Sequence, residues 1–89
     1  MAAVEIYLRS WCPYCIAARR LLDARGAAYD VIDIEREPAR RDEMIARAGG
    51  RTTVPQIFVG QTHVGGYDDL SALDGRGGLI PLIEQASAS

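Results

Sequence analysis

Val4-Glu5-Ile6-Tyr7-Leu8 alternates along the chain, with β-branched and aromatic side chains, and predicts a first strand. Apolar residues then recur at positions 16, 17, 21, 22 and 24, which predicts a helix from about Pro13 to Arg25 ended by Gly26. Tyr29 to Ile34 reads as a second strand. Pro38 opens a second helix running to about Ala48, with Met44, Ile45 and Ala48 on one face and Gly49-Gly50 as its stop. Gln56-Ile57-Phe58-Val59 and Thr62-His63-Val64 flank Gly60-Gln61 and predict a β-hairpin. A helix is expected from near Asp68 to Leu73, broken by Arg76-Gly77-Gly78, and a last helix from Leu79 to Ala86. The order β-α-β-α-β-β-α describes an α/β domain over residues 1–86, with a short fraying tail at 87–89.

Composition narrows the setting. With 89 residues there is room for one core, and 48% apolar with 25% charged residues is ordinary for a folded domain. A net charge of −2 argues against nucleic acid or an anionic membrane as partner. All ten basic residues are arginine. Met1 to Ser10 has neither a basic n-region nor an apolar h-region, and no apolar run approaches the roughly 20 residues of a membrane span. The expected compartment is a reducing cytoplasm, where a close cysteine pair is more often catalytic or metal-binding than structural.

That pair, Cys12-Pro13-Tyr14-Cys15, falls between the first strand and the first helix. Proline suits the first helical position because its missing N–H would have no partner there. Cys12 is then the N-cap and Cys15 the third helical residue. The unpaired amides of the first turn, notably those of Tyr14 and Cys15, favour a thiolate at Cys12, and Arg9 adds positive charge. This spacing places the two Cα atoms about 5–6 Å apart, within disulfide reach. A cysteine pair at the start of the first helix of a βαβ unit has the context of a redox motif. Zinc is a poor alternative, because it needs four ligands and only His63 remains as a soft donor. His63 is otherwise expected to face solvent, and Met44 to sit in the core.

Two further segments bear on function. Thr53-Val54-Pro55 is either a strand boundary or a loop whose Val54 amide and carbonyl pair with an extended substrate. Gly65-Gly66-Tyr67-Asp68-Asp69-Leu70 is either a glycine turn with an aspartate N-cap or a binding point for an amino-acid-like group. In the second case helix amides take a carboxylate and a free aspartate takes an ammonium. Glutathione offers both groups, plus a glycyl carboxylate that Arg9 or Arg41 could receive.

Taken together, these segments resemble the dithiol glutaredoxins. The resemblance covers nearly the whole chain and includes Arg51-Thr52-Thr53-Val54-Pro55-Gln56-Ile57-Phe58 and Ala72-Leu73-Asp74 with Arg76-Gly77-Gly78-Leu79. It implies a thioredoxin fold with a four-stranded mixed sheet flanked by helices, and a cis Pro55. It also implies catalysis by Cys12 and Cys15, and glutathione as co-substrate with no tightly bound cofactor and no metal. Thr53, Val54 and Pro55 are expected to meet the cysteinyl backbone of glutathione. Gly66, Tyr67, Asp68 and Asp69 are expected to hold its γ-glutamyl end, with Arg9 and Tyr14 flanking its glycyl side. Implied substrates are glutathionylated and disulfide-containing proteins, ribonucleotide reductase among them, acted on by a monomer. The rival reading is a cluster carrier, in which two chains and two glutathiones share an iron–sulfur cluster; Pro13 stiffens the turn and argues against it. Arg9 stands where the family usually has lysine. Trp11 replaces a small residue, and Tyr67 an additional cysteine found in many members.

Overall fold

Two apolar clusters, one on each face of a single sheet, organise the chain. The computed structural model describes residues 2–88. Its strands are β1 (Val4–Leu8), β2 (Tyr29–Asp33), β3 (Gln56–Val59) and β4 (Thr62–Gly65). The helices are α1 (Pro13–Ala24), α2 (Ala39–Arg47), α3 (Tyr67–Gly75) and α4 (Leu79–Ala88). The strands lie in the order β2-β1-β3-β4. β1 runs parallel to β2 and antiparallel to β3, and β3 pairs antiparallel with β4, so the sheet is mixed as expected.

Alternation along the two central strands divides their side chains between the faces. Val4, Ile6 and Leu8 of β1, with Ile57 and Val59 of β3, meet Cys15, Ala18 and Leu22 of α1, Leu70 of α3 and Leu79 of α4. Tyr7 and Phe58 point to the opposite face and pack with Ile32, Ile34, Met44 and Ala48. Both faces are therefore covered, and every residue of β3 is buried. Leu22 is wholly buried in the larger cluster. Leu22→Ala is expected to cost about 2–5 kcal/mol through lost burial and the cavity left behind, measured as a lower denaturant midpoint at unchanged m-value.

Several boundaries differ from the sequence reading. β2 stops at Asp33 because the Asp33 carboxylate accepts the Glu35 and Arg36 amides at 2.9 and 3.3 Å and turns the chain. Pro38 is the N-cap of α2, whose first residue is Ala39. α3 begins at Tyr67, because Gly66 rather than Asp68 is its N-cap, and it runs on to Gly75. Two helices, α3 and α4, follow the hairpin where the order β-α-β-α-β-β-α counts one, matching the separate helices expected from near Asp68 and from Leu79. α4 continues through Ser87 and Ala88, which the sequence reading assigns to a fraying tail; Ser89 lies outside the described residues.

Candidate functional site

The start of α1 carries the cysteines. Cys12 is the N-cap in extended conformation and Pro13 the first helical residue. The Cys12 amide donates to the Arg9 carbonyl at 3.3 Å, and its own carbonyl accepts the Ile16 amide at 3.0 Å. Its sulfur makes no capping hydrogen bond to the first turn, in contrast to the sequence reading. The thiol instead points across to the Val54 carbonyl, 3.9 Å away. The Val54–Pro55 peptide is cis.

The two sulfurs occupy different environments. Cys12 is partly exposed, whereas Cys15 lies in the large apolar cluster with 1% of its surface accessible. Burial, foremost, pushes the Cys15 thiol up to about 12; its hydrogen bond to Cys12 and the charge there add to this, while the backbone and charge of Arg9 oppose it. Cys15 is thus a thiol at neutral pH. The accessible sulfur, Cys12, is the one placed to meet a substrate.

Beside Cys12 runs a groove of about 270 Å³ lined by Tyr14, Arg51, Thr53, Val54, Pro55, Gly66, Tyr67, Asp68 and Asp69. Eight of these are sequence-predicted site residues, brought together from α1, the loop before β3 and the start of α3. The Tyr14 and Tyr67 rings stand 6.3 Å apart across it. The two aspartates are not equivalent. The Asp69 carboxylate accepts the Gly66 amide at 3.0 Å and meets Arg51 at 3.2 Å. These two contacts, the Gly66 bond first, hold its carboxyl below the usual range. Glycine has no side chain to return the bond, so this is half a capping box. Asp68 is exposed and its carboxylate, among the described residues, makes no hydrogen bond or ion pair.

Gly65 shows how tightly this corner is built. Its φ is +117°, and an added Cβ would fall on the Asp69 carboxylate and 2.9 Å from Arg51 Nη1. Arg51 was not among the predicted site residues. Its signal was its place, two residues before Thr53-Val54-Pro55. Arg9, predicted for the groove, is half-buried at the end of β1 and does not line it. Arg41 does not line it either; it lies on α2, whose buried residues pack on the other sheet face. His63, expected to face solvent, is half-buried, stacked on Phe58 and bonded to Gln56.

Trp11 is the largest exposed apolar side chain beside the cysteines, and its indole N–H donates to Glu35 at 2.7 Å. No helix among the described residues is long and apolar enough to cross a membrane.

A mixed sheet with an accessible and a buried cysteine at the head of α1, facing the Val54 carbonyl, defines a thioredoxin-fold thiol–disulfide oxidoreductase. The comparisons specify the family. The glutaredoxin family profile matches residues 4–64. The chain is 54% identical to glutaredoxin 3 of Escherichia coli K12 over 84 residues, covering 94% of this chain and 100% of that one. It is 49% identical to a glutaredoxin of Pseudomonas aeruginosa over 83 residues, covering 93% and 98% respectively. Among solved structures, a buckwheat glutaredoxin–glutathione complex aligns with TM-score 0.88 at 28% identity, covering 97% of this chain and 80% of that one. A glutaredoxin from Brucella melitensis aligns with TM-score 0.79 at 49% identity, covering 93% and 89%. The chain belongs to the glutaredoxin family and is a glutathione-dependent thiol–disulfide oxidoreductase.

Proposed function

We propose that Cys12 is the nucleophile, that Cys15 resolves, and that the groove from Val54 to Asp68 holds glutathione. The observation that carries this reading is the alignment of three features: an accessible sulfur, the Val54 backbone 3.9 Å from it, and an unpaired carboxylate at the groove's far side. Thr53 and Val54 offer backbone donors and acceptors to the cysteinyl part of the tripeptide. Asp68 takes the γ-glutamyl ammonium, and the amides at the start of α3 take its carboxylate. Asp69 is committed to Gly66 and Arg51, so its part is to hold Arg51 at the groove wall. Arg51, held by Asp69 beside Gly66, stands at the γ-glutamyl end of the groove and adds a guanidinium for that end's carboxylate. Arg9 acts on the cysteines instead.

In the monothiol route the Cys12 thiolate attacks the glutathionyl sulfur of a mixed disulfide. A Cys12–glutathione bond forms and the substrate thiolate leaves. A second glutathione thiolate then attacks that glutathionyl sulfur, releasing oxidised glutathione and regenerating Cys12. In the dithiol route Cys12 attacks a protein disulfide, Cys15 displaces the protein thiolate from Cys12, and two glutathiones reduce the Cys12–Cys15 bond. Glutathione is a co-substrate throughout and not a resident cofactor. The partners are glutathionylated and disulfide-containing proteins, which the chain meets as a monomer.

The test is steady-state reduction of a glutathionylated peptide coupled to glutathione reductase. Asp68→Asn keeps shape and removes one charge, and is expected to raise KM about tenfold with little change in kcat, the loss of one charge-assisted contact. An unchanged KM removes Asp68 from the site. Turnover with NADPH and thioredoxin reductase, but none with glutathione, would contradict the reading as a whole.

A further inference from the structure

Gln56 is the one polar side chain fully buried among the described residues, and it sits at the start of β3 directly behind the loop that faces Cys12. Leucine would fill a similar space without desolvating an amide, so a buried glutamine needs its bonds to be tolerated there. Gln56 has them. Its Nε2 donates to the Thr53 carbonyl at 3.0 Å, with the Thr53 hydroxyl oxygen at 3.3 Å, and its Oε1 lies 2.7 Å from His63 Nε2.

These contacts fix each other. A carbonyl oxygen only accepts, so the nitrogen of Gln56 must face Thr53 and its oxygen must face His63. His63 must then carry its proton on Nε2 and donate. The imidazole is held flat against Phe58, with ring centroids 4.8 Å apart at 24°, and the Arg47 guanidinium stands 4.1 Å from the same Phe58 ring. Burial, foremost, together with the charges of Arg51 and Arg47, lowers the His63 pKa, and Asp69 opposes them. The line Phe58–His63–Gln56–Thr53 therefore ends on the backbone beside Val54, and the hydrogen bonds of Cys12 go to other residues.

We infer that Gln56, oriented by His63, is a positioning residue that holds the Thr53–Val54 backbone in register for the glutathionyl group. This rests on the reading of that backbone as the glutathione-pairing segment. Removing the tie frees Thr53 to move and leaves the His63 N–H without its acceptor. The cost falls on substrate capture, because the tie ends on the Thr53 carbonyl, one residue before the Val54 carbonyl that faces Cys12, and Cys15 is held in the apolar cluster.

The experiment measures KM and kcat for a glutathionylated peptide, with glutathione reductase as coupler and active protein counted by Cys12 titration. Gln56→Leu is expected to raise KM about tenfold, about 1.4 kcal/mol, with kcat per titrated site within about twofold. His63→Phe keeps the stack but loses the donor and should raise KM about threefold; His63→Gln restores an amide donor and should return KM toward wild type. The double variant Gln56→Leu/His63→Phe should match Gln56→Leu alone, since His63 acts through Gln56. A wild-type KM in folded Gln56→Leu, or a fall in kcat without a rise in KM, overturns the inference. Should Gln56→Leu fail to fold, the His63 pair decides: a wild-type KM in His63→Phe, or no recovery in His63→Gln, overturns it equally. A wild-type protein that does not saturate with the glutathionylated peptide would instead overturn the glutathione groove itself.

Discussion

Cys12→Ser is expected to abolish both reactions, with rates on glutathionylated peptide and on protein disulfide falling by about three orders of magnitude or more. Serine matches cysteine in shape, so the N-cap geometry, the Pro13 helix start and the packing of α1 should survive, and the melting temperature should stay close to wild type. What is lost is the atom that forms the covalent intermediate. Cys15 cannot substitute, being 1% accessible and held as a thiol at neutral pH by burial. The measurement is the glutathione reductase-coupled assay alongside reduction of a protein disulfide. Retained activity in either would remove Cys12 from the nucleophile's role and with it the proposed mechanism.

Cys15→Ser should split the two routes. Deglutathionylation is expected to continue with kcat within about threefold of wild type, because glutathione itself supplies the second thiol. Reduction of protein disulfides should stall at the Cys12–protein mixed disulfide, visible as a higher-mass band on a non-reducing gel. The physics of Cys15 explains why it waits its turn. Desolvation is the largest cause raising its pKa to about 12, but its hydrogen bond to Cys12 and the charge on Cys12 add to it. When Cys12 enters a disulfide, the contributions from Cys12 fall away and Cys15 becomes easier to deprotonate beside the bond it must attack. The sign can be read directly in Cys12→Ser. Alkylation of Cys15 should be slow through neutral pH and accelerate only in alkaline solution, at a lower pH than for the wild-type thiol because the charge of Cys12 is gone while burial remains. Rapid modification near pH 7 would contradict the buried-thiol assignment.

Most of the groove was readable in the chain because its parts are local. Cys12-Pro13-Tyr14-Cys15 builds its own helix start, Thr53-Val54-Pro55 its own loop, and Gly65-Gly66 its own turn into α3. Where the reading failed, the deciding contact was between elements. Gly66 took the N-cap role expected of Asp68 because the Asp69 carboxylate reaches back to its amide. The guanidinium at the groove is Arg51, since α2 and with it Arg41 lie over the opposite sheet face. His63 occupies an outward-looking position in a short strand, yet Phe58 and Gln56 across the hairpin draw it in.

The amino-acid sequence by itself determined the α/β class, every strand, the cysteine pair and the segments that form the groove, because periodicity, proline and glycine placement and N-cap preference act within a few residues. Only the tertiary structure decided which cysteine is accessible, which aspartate is unpaired, which arginine reaches the groove and what holds Thr53 in place. Each of those depends on burial and on partners from other parts of the chain, such as Cys15 against β1, β3 and α3, Asp69 against Arg51, and Gln56 between Thr53 and His63. Desolvation and hydrogen bonding at that range exist only once the sheet has closed.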